Sequence, residues 1–104
     1  MIKYQDVVNV LEDVKVKDIQ IYDFAKTSPF YDYFIIATVN ERQANALSNN
    51  LKQTFKEQLI NIEGKSSGWV LVDLGDIIVH LFRAEEREFY GLDKMLYGLR
   101  LKSE

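Results

Sequence analysis

Apolar residues along this chain follow two rhythms, and the places where one gives way to the other outline a fold. Val7, Val8, Leu11 and Val14 recur every three to four positions, which predicts an amphipathic helix over residues 2–14. Ile19 and Ile21 then alternate with polar or amphipathic neighbours, as a strand does when one face is buried. After Pro29, the segment YDYFIIATV (31–39) is apolar on both faces and therefore reads as a central strand, covered on both sides by helices. Asn40, Glu41 and Gln43 make a helix start in which the Asn side chain caps and the Gln reaches back. Behind that start, Ala44, Leu47, Leu51, Phe55 and Leu59 form one apolar stripe, which predicts a helix over residues 40–59.

Beyond it the period returns to two. Ile62 alternates with polar residues and runs into Gly64, Ser66, Ser67 and Gly68, the pattern of a short strand entering a loop. Residues 69–74 and 77–82 are rich in β-branched and aromatic types and flank Gly75 and Asp76, which predicts an antiparallel hairpin with a tight turn. Residues 84–90 read as a short helix and 92–96 as another helical turn. The order α-β-β-α-β-β-β-α points to an α/β (α+β) domain, a mixed sheet of about five strands with helices on both faces. One domain over residues 1–104 is the expectation, since 104 residues at 47% hydrophobic build a single core.

Composition removes several chemistries. Zero cysteines exclude a disulfide framework and a cysteine-ligated zinc or iron-sulfur site, and a single histidine disfavours a histidine metal site. The apolar runs are about half the ~20 residues a bilayer span requires, and MIKYQDVVNV lacks a signal-peptide core, so a soluble cytoplasmic protein is expected. With a net charge of −3 and both signs interspersed, no basic stripe is available to neutralise phosphates, so little direct nucleic-acid contact is expected. A mildly acidic surface suits a basic protein partner, although on charge alone simple solvation is the slightly better explanation.

The segment from Trp69 to Tyr90 carries the candidate chemistry. Asp73 and Asp76 flank the Leu74-Gly75 corner, where paired carboxylates could hold Mg²⁺ while a substrate phosphate completes its shell. Turn chemistry explains them more simply, because Asp hydrogen-bonds the local backbone and Gly75 supplies a positive φ. His80 shares a strand face with Ile78 and Phe82, and a lone histidine among aliphatic neighbours is more often a core residue than a base. No nucleophile elbow or glycine-rich phosphate cradle occurs, and ATVNERQ contains no glycine. Val70 and Val72 fall on one face of their strand, with Trp69, Leu71 and Asp73 on the other, and a mixture of large aromatic, aliphatic and carboxylate resembles a binding hot spot. The segment containing Arg87, Glu88, Phe89 and Tyr90 reads either as part of that surface or as a solvated helix face with its aromatics turned inward.

Three stretches resemble the ribosomal silencing factor, or Iojap-related, family: DYFIIAT at 32–38, the Arg42-Gln43 pair, and W-x-L-x-D-x-G-D-x-x-V-H-x-F-x-x-x-x-R-x-F-Y-x-L from Trp69 to Leu92. The resemblance covers residues 4–96. It implies a nucleotidyltransferase-like layout without catalytic activity, cofactor or metal, and a homodimer when free. It also implies binding to the fourteenth large-subunit ribosomal protein on the intersubunit face. There the factor blocks joining of the small subunit, represses translation when nutrients are scarce, and takes part in late assembly of the large subunit. Trp69, Leu71, Asp73, Gly75, Asp76, Arg87 and Tyr90 match the family pattern and are assigned to the partner surface. Val39-Asn40-Glu41 is one residue shorter than the family's usual connection and lacks its glycine, while Met95-Leu96 stands where many relatives place Leu-Trp and Gly91 where they place a polar residue. The competing expectations are a metal-dependent nucleotidyltransferase-like enzyme using Asp73 and Asp76, and a purely structural dimer.

Overall fold

The computed structural model describes residues 2–65 and 67–101. Met1, Ser66 and residues 102–104, which the sequence places in the same domain, and in Ser66's case in the loop before the hairpin, lie outside the described residues. The elements run α1 (Tyr4–Asp13), β1 (Lys17–Asp23), β2 (Tyr33–Thr38), α2 (Glu41–Thr54), β3 (Asn61–Glu63), β4 (Trp69–Asp73), β5 (Ile77–Phe82), α3 (Ala84–Tyr90), α4 (Leu92–Met95) and a 3₁₀ turn at Tyr97–Leu99. The strands form one mixed sheet in the order β1-β2-β5-β4-β3, in which β2 and β5 are parallel and the other neighbours antiparallel. The predicted central strand β2 does lie inside the sheet, between β1 and β5.

Strand alternation sends two sets of side chains to opposite faces. On one, Ile35, Ala37, Val70, Val72, Ile77, Val79 and Leu81 meet Val7, Val8 and Leu11 of α1 and Ala44, Leu47 and Leu51 of α2 in a single buried cluster. On the other, Tyr22, Ile36 and Phe82 gather Phe24, Phe34 and Trp69, with Leu92, Leu96 and Leu99 of the carboxyl-terminal segment as their cover. Helices thus stand on both faces. The cover is unequal, because α1 and α2 are 10 and 14 residues long whereas α3 and α4 have 7 and 4.

The start of α2 forms as its sequence predicts. Asn40 Oδ1 accepts from Gln43 N at 2.8 Å and Gln43 Oε1 accepts from Asn40 N at 3.0 Å, a reciprocal capping box. Its end comes earlier than the apolar stripe suggests. At Phe55 the backbone leaves the helical region (φ −118°, ψ 45°), and Gln58 N and Leu59 N both turn back to the Phe55 carbonyl. Phe55 is still buried and Leu59 half-buried against the helix-covered core, so the stripe reports which residues face inward rather than where the helix stops.

Candidate functional site

Aromatic contacts continue across the second sheet face from one rim to the other. Phe24 and Tyr31 pack edge to face at 5.0 Å and lie 4.6 and 4.8 Å from Phe34. Phe34 lies 4.5 Å from His80, which in turn lies 5.9 Å from Trp69. Trp69 stacks on Phe82 at 4.8 Å and meets Tyr90 at 4.8 Å, and Tyr90 meets Phe89 edge-on at 5.1 Å. Such pairs contribute roughly 0.5–1.5 kcal/mol each beyond the area they bury. At the α3 rim the band ends in water, where Phe89 is 82% and Tyr90 49% exposed, and at the other rim it ends in the half-buried Tyr31. Of the α3 aromatics, Phe89 points outward, contrary to the inward-facing alternative, while Tyr90 packs on Trp69 with half its surface in water.

His80 sits in the middle of this band. Its direct cross-strand partners are aliphatic as expected, Ile36 on β2 and Leu71 on β4, but the diagonal positions add two aromatic rings, Phe34 on the β2 side and Trp69 on the β4 side. Trp69 Nε1 donates to His80 Nδ1 at 3.1 Å, which places the imidazole proton on Nε2. Nε2 is buried and has no hydrogen-bond partner among the described residues. Burial lowers the pKa of His80 to about 4, so the ring is neutral near pH 7. What it can do chemically is orient the indole as a neutral acceptor, since the proton-accepting nitrogen is already occupied.

The hairpin corner is a turn device. Asp73 Oδ1 accepts from Gly75 N at 2.9 Å, Leu74 N donates to the Ile77 carbonyl at 2.9 Å, and Gly75 has φ +85°. A glycine with positive φ at the first central position is what a type II′ hairpin turn requires. The Asp76 carbonyl accepts from Asp32 N (2.7 Å) and Tyr33 N (3.1 Å), so the corner also anchors the loop that enters β2. The Asp76 side chain is exposed, and among the described residues no group of three or more His, Cys, Asp or Glu side chains comes together to hold a metal.

The seven residues assigned to the partner surface separate into two groups. Trp69, Leu71 and Asp73 line the second face along β4, with Tyr90 packed at the Trp69 end and Gly75 and Asp76 at the other. Arg87 turns away from that surface. Its Nε and Nη2 donate to Asp93 Oδ2 (2.8 Å) and Oδ1 (3.0 Å), and its Nη1 to the Asp18 carbonyl (2.8 Å) and Thr38 Oγ1 (2.9 Å), leaving the side chain 13% exposed. The Tyr22 hydroxyl also donates to Asp93. Burial acts to raise the Asp93 carboxyl, but the hydrogen bonds from Arg87 and Tyr22 outweigh it and hold the group below the usual carboxylate range. Burial first, and the Asp93 carboxylate second, push the Tyr22 phenol upward.

Phe34 and Tyr31 join this face although the sequence reading left them out. The signal that would have placed Phe34 is the parallel pairing of β2 with β5, which sets Phe34 opposite Ile78 two residues from His80, and no local period reports a long-range register.

A profile of the family described as ribosomal silencing factor during starvation matches residues 2–102. A ribosomal silencing factor of Halalkalibacterium halodurans is 38% identical over 93 residues, covering 85% of this chain and 80% of the relative. The mouse protein named mitochondrial assembly of ribosomal large subunit protein 1 is 29% identical over 96 residues, covering 85% of this chain and 42% of its own length. A crystal structure of a Chromobacterium violaceum protein superimposes with a TM-score of 0.82 at 32% identity, covering 98% of this chain and 92% of that one. A profile that spans nearly the whole chain and relatives that share both sequence and fold converge on one conclusion: this chain belongs to the ribosomal silencing factor family.

Proposed function

We propose that this chain silences ribosomes by binding the fourteenth protein of the large subunit through the aromatic sheet face, where its body sterically blocks the small subunit and so represses translation under nutrient limitation. The observation that carries the reading is the open half of that face, where half-buried Trp69 and Leu71 lie beside the exposed Tyr90. Aromatic side chains standing half out of a packed sheet supply large contact area at little entropic cost, which is how interface anchors work. The far rim is acidic: Glu63 pairs across from Leu71, and Asp73 and Asp76 follow, which suits a basic ribosomal protein. Blocking by bulk needs no reaction, only a firm footing of ~800 Å² per partner. The name of the mouse relative, which concerns assembly of the large subunit, agrees with that choice of subunit. In this reading the protein acts in the cytoplasm, forms a homodimer when free, and uses neither cofactor nor metal.

Cosedimentation tests it. The protein should pellet with purified large subunits and be depleted from intact ribosomes. Trp69→Ala should weaken large-subunit binding by about 2 kcal/mol or more if the indole is a central anchor. Full affinity in that variant would remove Trp69 from the interface.

A further inference from the structure

The attachment of α3 differs from that of every longer helix in the fold. Among the described residues none of its 7 side chains is buried, so apolar burial contributes little to docking it. Its start is tied by Arg83 N, which donates to the Gly68 carbonyl at 2.9 Å. Past its end, Gly91 at φ +62° turns the chain into α4, which brings Asp93 back beneath the helix to meet Arg87. Between these points the hydrogen-bonded side-chain fastening is Arg87, with Tyr90 packed on Trp69 at the helix end. Its guanidinium reaches Asp93, the end of β2 at Thr38, and the carbonyl of Asp18. Asp18 sits at the irregularity in β1 between Lys17 and Gln20 with φ +53°, a conformation that turns its carbonyl out of the strand ladder.

We propose that Asp93 is the positioning residue of the partner surface: by fixing Arg87 and engaging Tyr22 it pins α3 and α4 to β1 and β2 and thereby seats Tyr90 against Trp69. The proposal rests on the reading of that face as the ribosome-binding surface. Two features carry it. Arg87 and Tyr90 are three residues apart on one helix, so they project from the same side, and a guanidinium locked by a two-pronged carboxylate fixes the rotation of the helix that carries Tyr90. On the opposite side of the carboxylate, Tyr22 is nearly fully buried in the sheet, so Asp93 bridges the short-helix cover to strand β1. Asp93 need not touch the partner to matter; it acts through the ring that does.

Trp69 is the chain's only tryptophan, so its fluorescence reports its own surroundings. Asp93→Asn keeps the shape and removes the charge, and Tyr22→Phe removes only the hydroxyl. In the free protein, both should redden Trp69 emission and increase its quenching by acrylamide, Asp93→Asn more strongly, while thermal unfolding stays cooperative. Affinity for purified large subunits should fall about tenfold in Asp93→Asn, a change of about 1.4 kcal/mol. In a Tyr90→Ala background, where no ring remains to be seated, the same substitution should cost less than about twofold, since residues acting through one another are non-additive. Unchanged Trp69 emission and quenching in a cooperatively folded Asp93→Asn protein would overturn the proposal, and so would a full tenfold loss in the Tyr90→Ala background. If Asp93→Asn does not fold, Tyr22→Phe carries the same comparisons. Should Trp69→Ala and Tyr90→Ala bind large subunits at full strength, the surface reading fails by itself, and the fluorescence of the free protein still decides whether Asp93 seats Tyr90.

Discussion

On one side of the sheet Ile35, Ala37, Val70, Val72, Val79 and Leu81 meet two long helices and are lost to water; on the other, the residues between them meet one another, a short carboxyl-terminal cover, and solvent. Both sets come from the same strands, so the contrast is one of finishing rather than of architecture. The helix-covered face is mostly aliphatic, with Phe55, Tyr4 and Tyr33 at its margins, and there the strand groups and helix stripes saturate each other. The aromatic face retains a histidine N–H without a partner among the described residues, a non-glycine residue at positive φ in Asp18, and half-exposed rings at its rims. Backbone strain is shared, since Lys15 at φ +60° stands beside Gln43 on the helix-covered side, so the buried histidine N–H and the open rims are what set the aromatic face apart.

That division can be broken by experiment. Leu47 is fully buried between α2 and the sheet, so Leu47→Ala should destabilise by about 4 kcal/mol through lost transfer energy and a residual cavity. Urea unfolding measures the loss. The molecules that remain folded should bind large subunits as before, and a weakened affinity at full folding would show that the two faces are coupled.

The next largest effect belongs to the aromatic side. His80 has a pKa of about 4 in the folded chain against an ordinary 6.5, so below pH 6.5 the unfolded chain takes up a proton that the folded one refuses. Stability should therefore fall as pH drops from 6.5 to 4, by about 3 kcal/mol in all, and level off below that as far as this group is concerned. Asp93, whose folded pKa is depressed, adds its own loss only below its ordinary value of 3.8. Urea midpoints followed across pH should show the upper step in the parent chain and not in His80→Gln. A step that persists without the histidine would assign it elsewhere and leave the aromatic face less strained than described.

Much of the helix-covered face could be read in the sequence, and less of the other. The stripe from Ala44 to Leu59, the Asn40-Gln43 box and the 69–82 hairpin all depend on neighbours within a few positions, and each formed, although the helix stops at Thr54 short of the end of its stripe. Trp69, Leu71 and Asp73 were likewise placed together by alternation alone. What escaped depends on contacts between distant parts of the chain. The aromatic setting of His80 needs the β2–β5 register, and the inward turn of Arg87 needs Asp18 and Thr38, 69 and 49 positions away. Arg87 was assigned to the surface through its place in a family pattern, and such a pattern preserves a residue whether it touches the partner or holds the residue that does.

The smallest effect probes the helix-covered side at its edge. Asn40 satisfies the Gln43 amide at the start of α2, and Asn40→Ala removes that acceptor together with half of the reciprocal box. A loss of about 1 kcal/mol is expected, and Asn40→Gly should cost only a few tenths, because glycine keeps the extended cap conformation and lets water reach the freed amide. Urea midpoints for the two variants measure the difference. Neither should alter affinity for the large subunit, since α2 packs against the aliphatic face while Trp69 and Tyr90 stand on the other. A drop in binding by Asn40→Ala at full folding would mean that the amino end of α2 belongs to the partner surface too, and the line between the two faces would have to be redrawn through the loop from Val39 to Glu41.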